Sequence, residues 1–433
     1  MGGEPEVDRI VLRLRDARLS QGMAGTDQRP TDPLRARRAL LDWLLLVTFL
    51  TCACGYWFKG HCMTKGYWAG SEQYVTGCYS DAVPFWSGRG IAAGQVPYFQ
   101  ARMEYPVLTG GLIYAEGRIT AAIWGTRASA SGFLLVVTAV NAALALLVMV
   151  LLWQMGLDRP RLWAWALAPP LVLYVGHNWD MLAVAFAVGA LSAARSRRMV
   201  RAAVLAALGV AAKLFPLFLL PLLALRALFE RRFVAVAAMA GAAIAAWTIV
   251  NLPVAAFAFT NWSEFYAFSG QRTGTPASVW ELASTMFPAT LATDVAQRNL
   301  WSAILFAIGA AAIGAAGWRR HRAHMWVLFT PVLAWFLLTN KVYSPQFDLW
   351  LYPMMLVTAR RFAPIGLFLI GDLLTYFAEF WIFAAIDGVG PLNGLGFLWV
   401  AAAIRALALL WLIARAVRDD APAWVTSGSA EPV

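Results

Sequence analysis

Lysine is nearly missing from this chain: Lys59, Lys65, Lys213 and Lys341 stand beside 31 arginines in 433 residues. Charge of any kind is scarce, at 14%, whereas 60% of residues are hydrophobic and the mean hydropathy is +0.61. A soluble globular domain carries about 25% charged residues, so that class is excluded. Period-two alternation is also lacking, which excludes a membrane β-barrel. Four cysteines and four histidines, with no CxxC at zinc spacing and no HExxH, point to no metal site. No Walker A loop is present, so nucleotide hydrolysis does not power the protein. A net charge of +11 would suit a nucleic-acid partner, but the arginines sit at the ends of apolar runs, where they report topology.

The apolar runs are what the chain does have. Lipid offers no partner to a backbone N–H or C=O, so each run must close its own hydrogen bonds as a helix. The sequence predicts an all-α polytopic membrane protein of about twelve transmembrane helices. They fall near 39–58, 131–153, 161–176, 178–194, 199–213, 214–229, 233–252, 300–317, 325–340, 347–359, 364–384 and 395–414. RARR (35–38), DRPR (158–161), RSRRMVR (195–201), ERR (230–232), WRRHR (318–322), ARR (359–361) and RAVR (415–418) then lie in the cytoplasm, with both termini. This divides the chain into a mobile cytoplasmic arm (1–38), a transmembrane domain (39–414) and a cytoplasmic tail (415–433), disordered past Asp419. The segment 106–124, with Glu116 and Arg118, is expected to lie in the outer interface, because spanning would invert every later loop. A multi-pass plasma-membrane protein follows, its long outer loops at 59–130 and 253–299.

Those loops hold the unusual chemistry. Asp81 lies among Tyr79, Pro84, Phe85 and Trp86, a partly dehydrated setting in which a carboxylate can act as general base. An aspartate after a loop serine also serves as a helix N-cap, and both readings stay open. Glu104 orients an acceptor or pairs with Arg102, beside Tyr98 and Tyr105. His177 and Asp180 hydrogen-bond one another or a substrate, or Asn178 and Asp180 cap a helix. Lys213, Arg272 and Lys341 are candidate phosphate partners, with Arg102 weaker; Lys59 and Lys65 are expected to be solvated loop charges. Cys62 and Cys78 share an outer loop where a disulfide can persist, the alternative being two unrelated thiols; Cys52 and Cys54 are packing residues. The glycines between Ser87 and Pro97 are expected to let helices pack close beneath. Trp262 and Trp280 are read as interfacial anchors rather than sugar platforms.

CYSD (78–81), SGRG (87–90), GQVPY (94–98), EYPVLTG (104–110), KLFP (213–216) and NKVYSPQF (340–347) occur in an order and on a side that carry a resemblance. The chain resembles polyprenol-phosphate-sugar-dependent glycosyltransferases of the GT-C fold, over roughly 39–414, and within them glycosyltransferase family 87, best known for polyprenyl-phosphate-mannose-dependent α-mannosyltransferases of the bacterial envelope. The resemblance implies a GT-C-like bundle with its active site on extracytoplasmic loops and Asp81 as catalytic base. It further implies inverting transfer of a sugar, mannose first and arabinofuranose second, from a polyprenyl phosphate to a glycolipid or polysaccharide hydroxyl. Tyr343 and Gln346 join the binding residues through their motif. No cofactor is implied, and assistance by a divalent cation is left open. Three rivals remain. A secondary transporter should show two related halves, which are not seen. A flippase or polymer ligase would share the lipid phosphate and the outer loops, and a scaffold would not need Asp81.

Overall fold

The computed structural model describes residues 33–63, 66–287, 293–390 and 394–427. Lys65, residues 1–32 of the expected arm and the last six residues lie outside the described residues. The chain divides after Trp43 into two units. Of the first, residues 33–43 are described, and they are helical. The helix Arg35–Gly60 runs on past this division, and contacts are described only for the second unit, from Leu44 onward.

The fold is all helical, 78% of it in helices, with an isolated bridge between Pro97 and Ala101 as the one β feature among the described residues. Six helices are long and apolar enough to cross a membrane: Arg35–Gly60, Ala130–Gln154, Phe233–Phe257, Val295–His321, Ala363–Ile386 and Gly394–Arg418. The other expected spans are shorter. Asp180–Arg195 has 16 residues, Met199–Ala212 has 14, and Phe329–Thr339 and Asp348–Thr358 have 11 each. The run expected at 161–176 is broken at Leu167 and Ala168 into Arg159–Ala166 and Pro169–Tyr174, because consecutive prolines restart the helix.

The arginine-bearing ends gather at one end of the bundle. Arg161 donates to the carbonyls of Leu356 and Arg360 at 3.1 and 3.0 Å, and Arg226 donates to that of Ala323 at 3.2 Å. Arg320 and Arg360 meet Asp420 at 2.9 and 3.8 Å. The tail corrects an expectation here: past Asp419 the chain is ordered as far as residue 427. Trp424 explains why, since its indole donates to the Val357 carbonyl at 2.9 Å and its ring lies 4.6 Å from the Arg161 guanidinium.

At the opposite end lie three further helices, Ala82–Gly88, Val107–Trp124 and Phe259–Gln271. Val107–Trp124 has both ends there: Thr109 donates to Ala212 at the end of Met199–Ala212, and Trp124 packs over Gly132 at the start of Ala130–Gln154. Its Glu116 is buried and accepts the Trp179 indole N–H at 2.6 Å. The glycines of 87–97 serve a different purpose from the one expected. Gly90 and Gly94 have φ of +69° and +67°, so they make the turns that only glycine adopts without strain. Met199–Ala212, Phe329–Thr339 and Asp348–Thr358 each place an end at this side, where a hollow opens between them.

Candidate active site

The hollow is a cavity of about 580 Å³ whose lining includes Asp81, Arg272 and Lys341. Asp81 stands at the start of Ala82–Gly88, but its side chain caps nothing. The Ser80 hydroxyl takes the Ala82 N–H at 3.2 Å instead, so the capping alternative is answered by the neighbour. The Asp81 carboxylate accepts the Tyr105 hydroxyl at 2.9 Å. Burial pushes its pKa above the ordinary carboxylate value; hydrogen bonds from Tyr105 and Tyr79 and the charge of Lys213 pull it back, and Asp180 adds to the rise.

Asp81 is held from behind by groups remote in sequence. Its backbone N–H donates to the His177 carbonyl at 2.8 Å. The His177 ring meets the Lys59 ammonium at 3.3 Å, and Lys59 donates to the Gly77 carbonyl at 3.2 Å. Tyr376 bonds both Lys59 and Gly77. Lys59 is therefore fully buried, which corrects the expectation of a solvated loop charge. Burial, then the charges of Lys59 and Lys213, depress the His177 pKa, and the ring is not among the residues lining the cavity. Cys62 and Cys78 form a disulfide with Cα atoms 6.6 Å apart, fixing the chain three residues before Asp81. Cys52 is buried and Cys54 exposed, both free.

Lys213 ends Met199–Ala212 and forms an ion pair with Asp180 at 2.9 Å, over the ring of Tyr105 at 4.7 Å. Asp180 also accepts the Trp350 indole N–H at 2.7 Å, and its own N–H goes to the Asn178 side chain at 3.0 Å. His177 and Asp180 thus bind different partners, not one another, and only the lysine of this group faces the cavity. Phe215, Phe347 and Trp350 stack beside it, with Trp350 4.8 Å from Phe215 and 3.8 Å from Phe347.

Arg272 and Lys341 come from two segments that pin each other. Thr275 N–H donates to the Lys341 carbonyl at 3.3 Å, and Tyr343 N–H to the Thr275 hydroxyl at 2.8 Å. A Cβ at Gly274 would lie 2.9 Å from the Lys341 carbonyl oxygen, so glycine permits the approach. Lys341 donates to the Gly270 carbonyl at 2.8 Å. Burial, then the charges of Arg272 and Arg298, hold its ammonium below the ordinary lysine pKa. Among the described residues neither Lys341 nor Arg272 is ion-paired with a carboxylate. Arg298 differs, since it is paired with Glu281 at 2.6 Å.

Gln346 and Glu104 also line the cavity. Glu104 pairs with Arg89 at 2.9 Å, not with Arg102, which turns away to Glu264. Tyr343 is buried outside the cavity: its hydroxyl donates to Asp348 at 2.5 Å, and its ring lies 3.7 Å from the Arg405 guanidinium. Trp262 and Trp280 donate their indole N–H groups to Asn251 and the Thr339 carbonyl, and neither lines the cavity. Sequence reasoning missed Arg89 as a lining residue, although it lies inside the SGRG run. A second, mostly apolar cavity of about 710 Å³ begins at Phe218, which lines both, and passes Leu222, Leu225 and Phe306 toward Trp318 at the arginine end.

The model of glycosyltransferase family 87 matches residues 124–345, just over half of the sequence. The chain belongs to glycosyltransferase family 87. The family 87 match starts beyond the loop of Asp81, Glu104 and Tyr105 and takes in Lys213, Arg272 and Lys341, so it is narrower than the likeness read over 39–414. No curated protein matches the chain. Family 87 makes the protein a membrane glycosyltransferase, with a sugar donor, an acceptor and a membrane setting.

Proposed function

We propose that the enzyme transfers mannose from a polyprenyl phosphate to a hydroxyl of a glycolipid or polysaccharide, on the outer face of the plasma membrane, with inversion at the sugar carbon. One observation carries this reading: a single cavity holds a carboxylate hydrogen-bonded only by hydroxyls and, apart from it, two cations without carboxylate partners. A pre-activated donor needs that pair of opposites. Asp81 takes the proton of the acceptor hydroxyl as its oxygen attacks the anomeric carbon. The bond from that carbon to the phosphate oxygen breaks, and the charge gathering on the phosphate is met by Arg272 and Lys341. Lys213, already neutralised by Asp180, serves to restrain the Asp81 pKa more than to hold phosphate. The second cavity supports a lipid-linked donor, because its lining is almost wholly apolar and it shares Phe218 with the catalytic cavity.

The test is transfer by purified protein from polyprenyl-phosphate mannose and, in parallel, polyprenyl-phosphate arabinose, with envelope glycolipids scanned by mass spectrometry. Mannose addition is expected. Arabinose addition alone would replace the sugar and keep the mechanism; transfer from a sugar nucleotide but from neither lipid donor would sink the proposal.

A further inference from the structure

Away from the catalytic cavity, the helices Ala130–Gln154, Asp180–Arg195 and Met199–Ala212 leave a groove of about 390 Å³ between them. Its floor follows from sequence spacing. Ala185, Gly189 and Ala193 recur every four residues, so one face of their helix carries almost no side chain. Leu147 and Leu151 on one neighbour and Leu205 on the other form the walls. A Cβ at Gly189 would stand 3.6 Å from Leu205 and 4.0 Å from Leu151, so a larger side chain there would fill the groove.

Toward the arginine end the lining changes character. Gln154, Ser192, Ser196, Arg198 and Arg201 replace the leucines. The turn that brings the arginines there is specific: Arg197 adopts φ of +58°, and the Arg198 N–H closes on the Ala193 carbonyl at 2.9 Å. Among the described residues, four carboxylates at this end are engaged elsewhere. Asp158 pairs with Arg161, Glu230 with Arg226 and Arg232, Asp419 with Arg361 and Arg415, and Asp420 with Arg320 and Arg360. Among the described residues neither Arg198 nor Arg201 is ion-paired, and both are exposed.

We propose that this groove binds an anionic phospholipid from the leaflet at the arginine end, its phosphate between Arg198 and Arg201 and an acyl chain along Leu147, Leu151, Phe186 and Leu205. The chain alone could not select a lipid, since every tail in a bilayer is equally apolar. Selection comes from the headgroup, which two unneutralised guanidinium groups, with the serine hydroxyls, complement in charge and hydrogen bonding. The site is independent of the transfer reaction.

Native mass spectrometry of the full-length protein in detergent, with phosphatidylglycerol or phosphatidylcholine added, tests it. Phosphatidylglycerol should be retained and phosphatidylcholine stripped. Replacing both arginines (Arg198→Gln with Arg201→Gln) should weaken phosphatidylglycerol binding about 25-fold, taking each basic residue as worth about fivefold. Gly189→Leu, or Leu147→Trp from the rim if the first misfolds, should abolish retention with both arginines in place. Retention unchanged by groove filling would mean diffuse surface charge and overturn the proposal. Equal retention of phosphatidylcholine, or a wild-type dimer that groove filling dissociates, would overturn it as well.

Discussion

At the scale of the residue, the decisive contrast is between Asp81 and the two free cations. Asp81→Asn keeps size and hydrogen bonding but cannot take a proton, so turnover should fall by about 10² or more while donor affinity holds. Arg272→Ala or Lys341→Ala should weaken donor binding as well and lower kcat/KM about 10- to 100-fold, the loss of one charge-assisted contact. Near wild-type transfer by the Asp81 variant would move the search for the base to Glu104. The pH dependence has a definite sign. A base works deprotonated, and the Asp81 pKa is raised, so activity should fall away on acidification at a pH above that of an ordinary aspartate. Tyr105→Phe removes a bond that holds this pKa down, so its acid limb should move to still higher pH; a limb unmoved or moved downward would exclude Asp81 as the titrating group. These residues were legible because each is polar within a chain that is polar almost nowhere else. Lys59 was misread and Arg405 overlooked for a common reason. Their partners, His177 and Tyr376 for one and Asp348 for the other, lie 118, 317 and 57 residues away, and nothing local announces a buried charge.

At the scale of the element, the segment from Lys59 to Asp81 owes its position to cross-links more than to helix. Between Gly60 and Ala82 the four-residue helix Glu72–Val75 is the one regular piece among the described residues. The Cys62–Cys78 bridge closes a loop of separation 16, which should add about 3 kcal/mol by restricting the unfolded chain. Peptide mapping of the unreduced protein should find the two joined, and reduction should lower both melting temperature and turnover; two free thiols would refute the bridge. Helices were readable to within a few residues wherever apolar runs ended in arginine. Breaks such as that at Leu167 and the helical folding of the outer loops were not, because tertiary contacts, not hydropathy, decide them.

At the scale of the whole molecule, the clustering of arginine ends around Asp419, Asp420 and Trp424 sets one end against the other. Single cysteines at positions 100 and 270, with Cys52 and Cys54 replaced, should react with an impermeant reagent from outside, and one at 197 only after permeabilisation. External labelling at 197 would reverse the orientation and remove the proposed outer active site. The shortness of the helices beneath the cavity bears on something else. At 1.5 Å per residue, helices of 11 to 16 residues reach about 17–24 Å. Their neighbours of 24 to 27 residues reach about 36–40 Å. The cavity is lined where these shorter helices end: by Lys213 after Met199–Ala212, by Asn340 and Lys341 after Phe329–Thr339, and by Trp350 at the start of Asp348–Thr358. If Asp81 is the base, a cavity walled by helix ends should admit a slender chain end more readily than a hydroxyl midway along a stiff polymer. Growth should proceed from tips, one sugar at a time, and branching from chain interiors should fall to enzymes with more open sites.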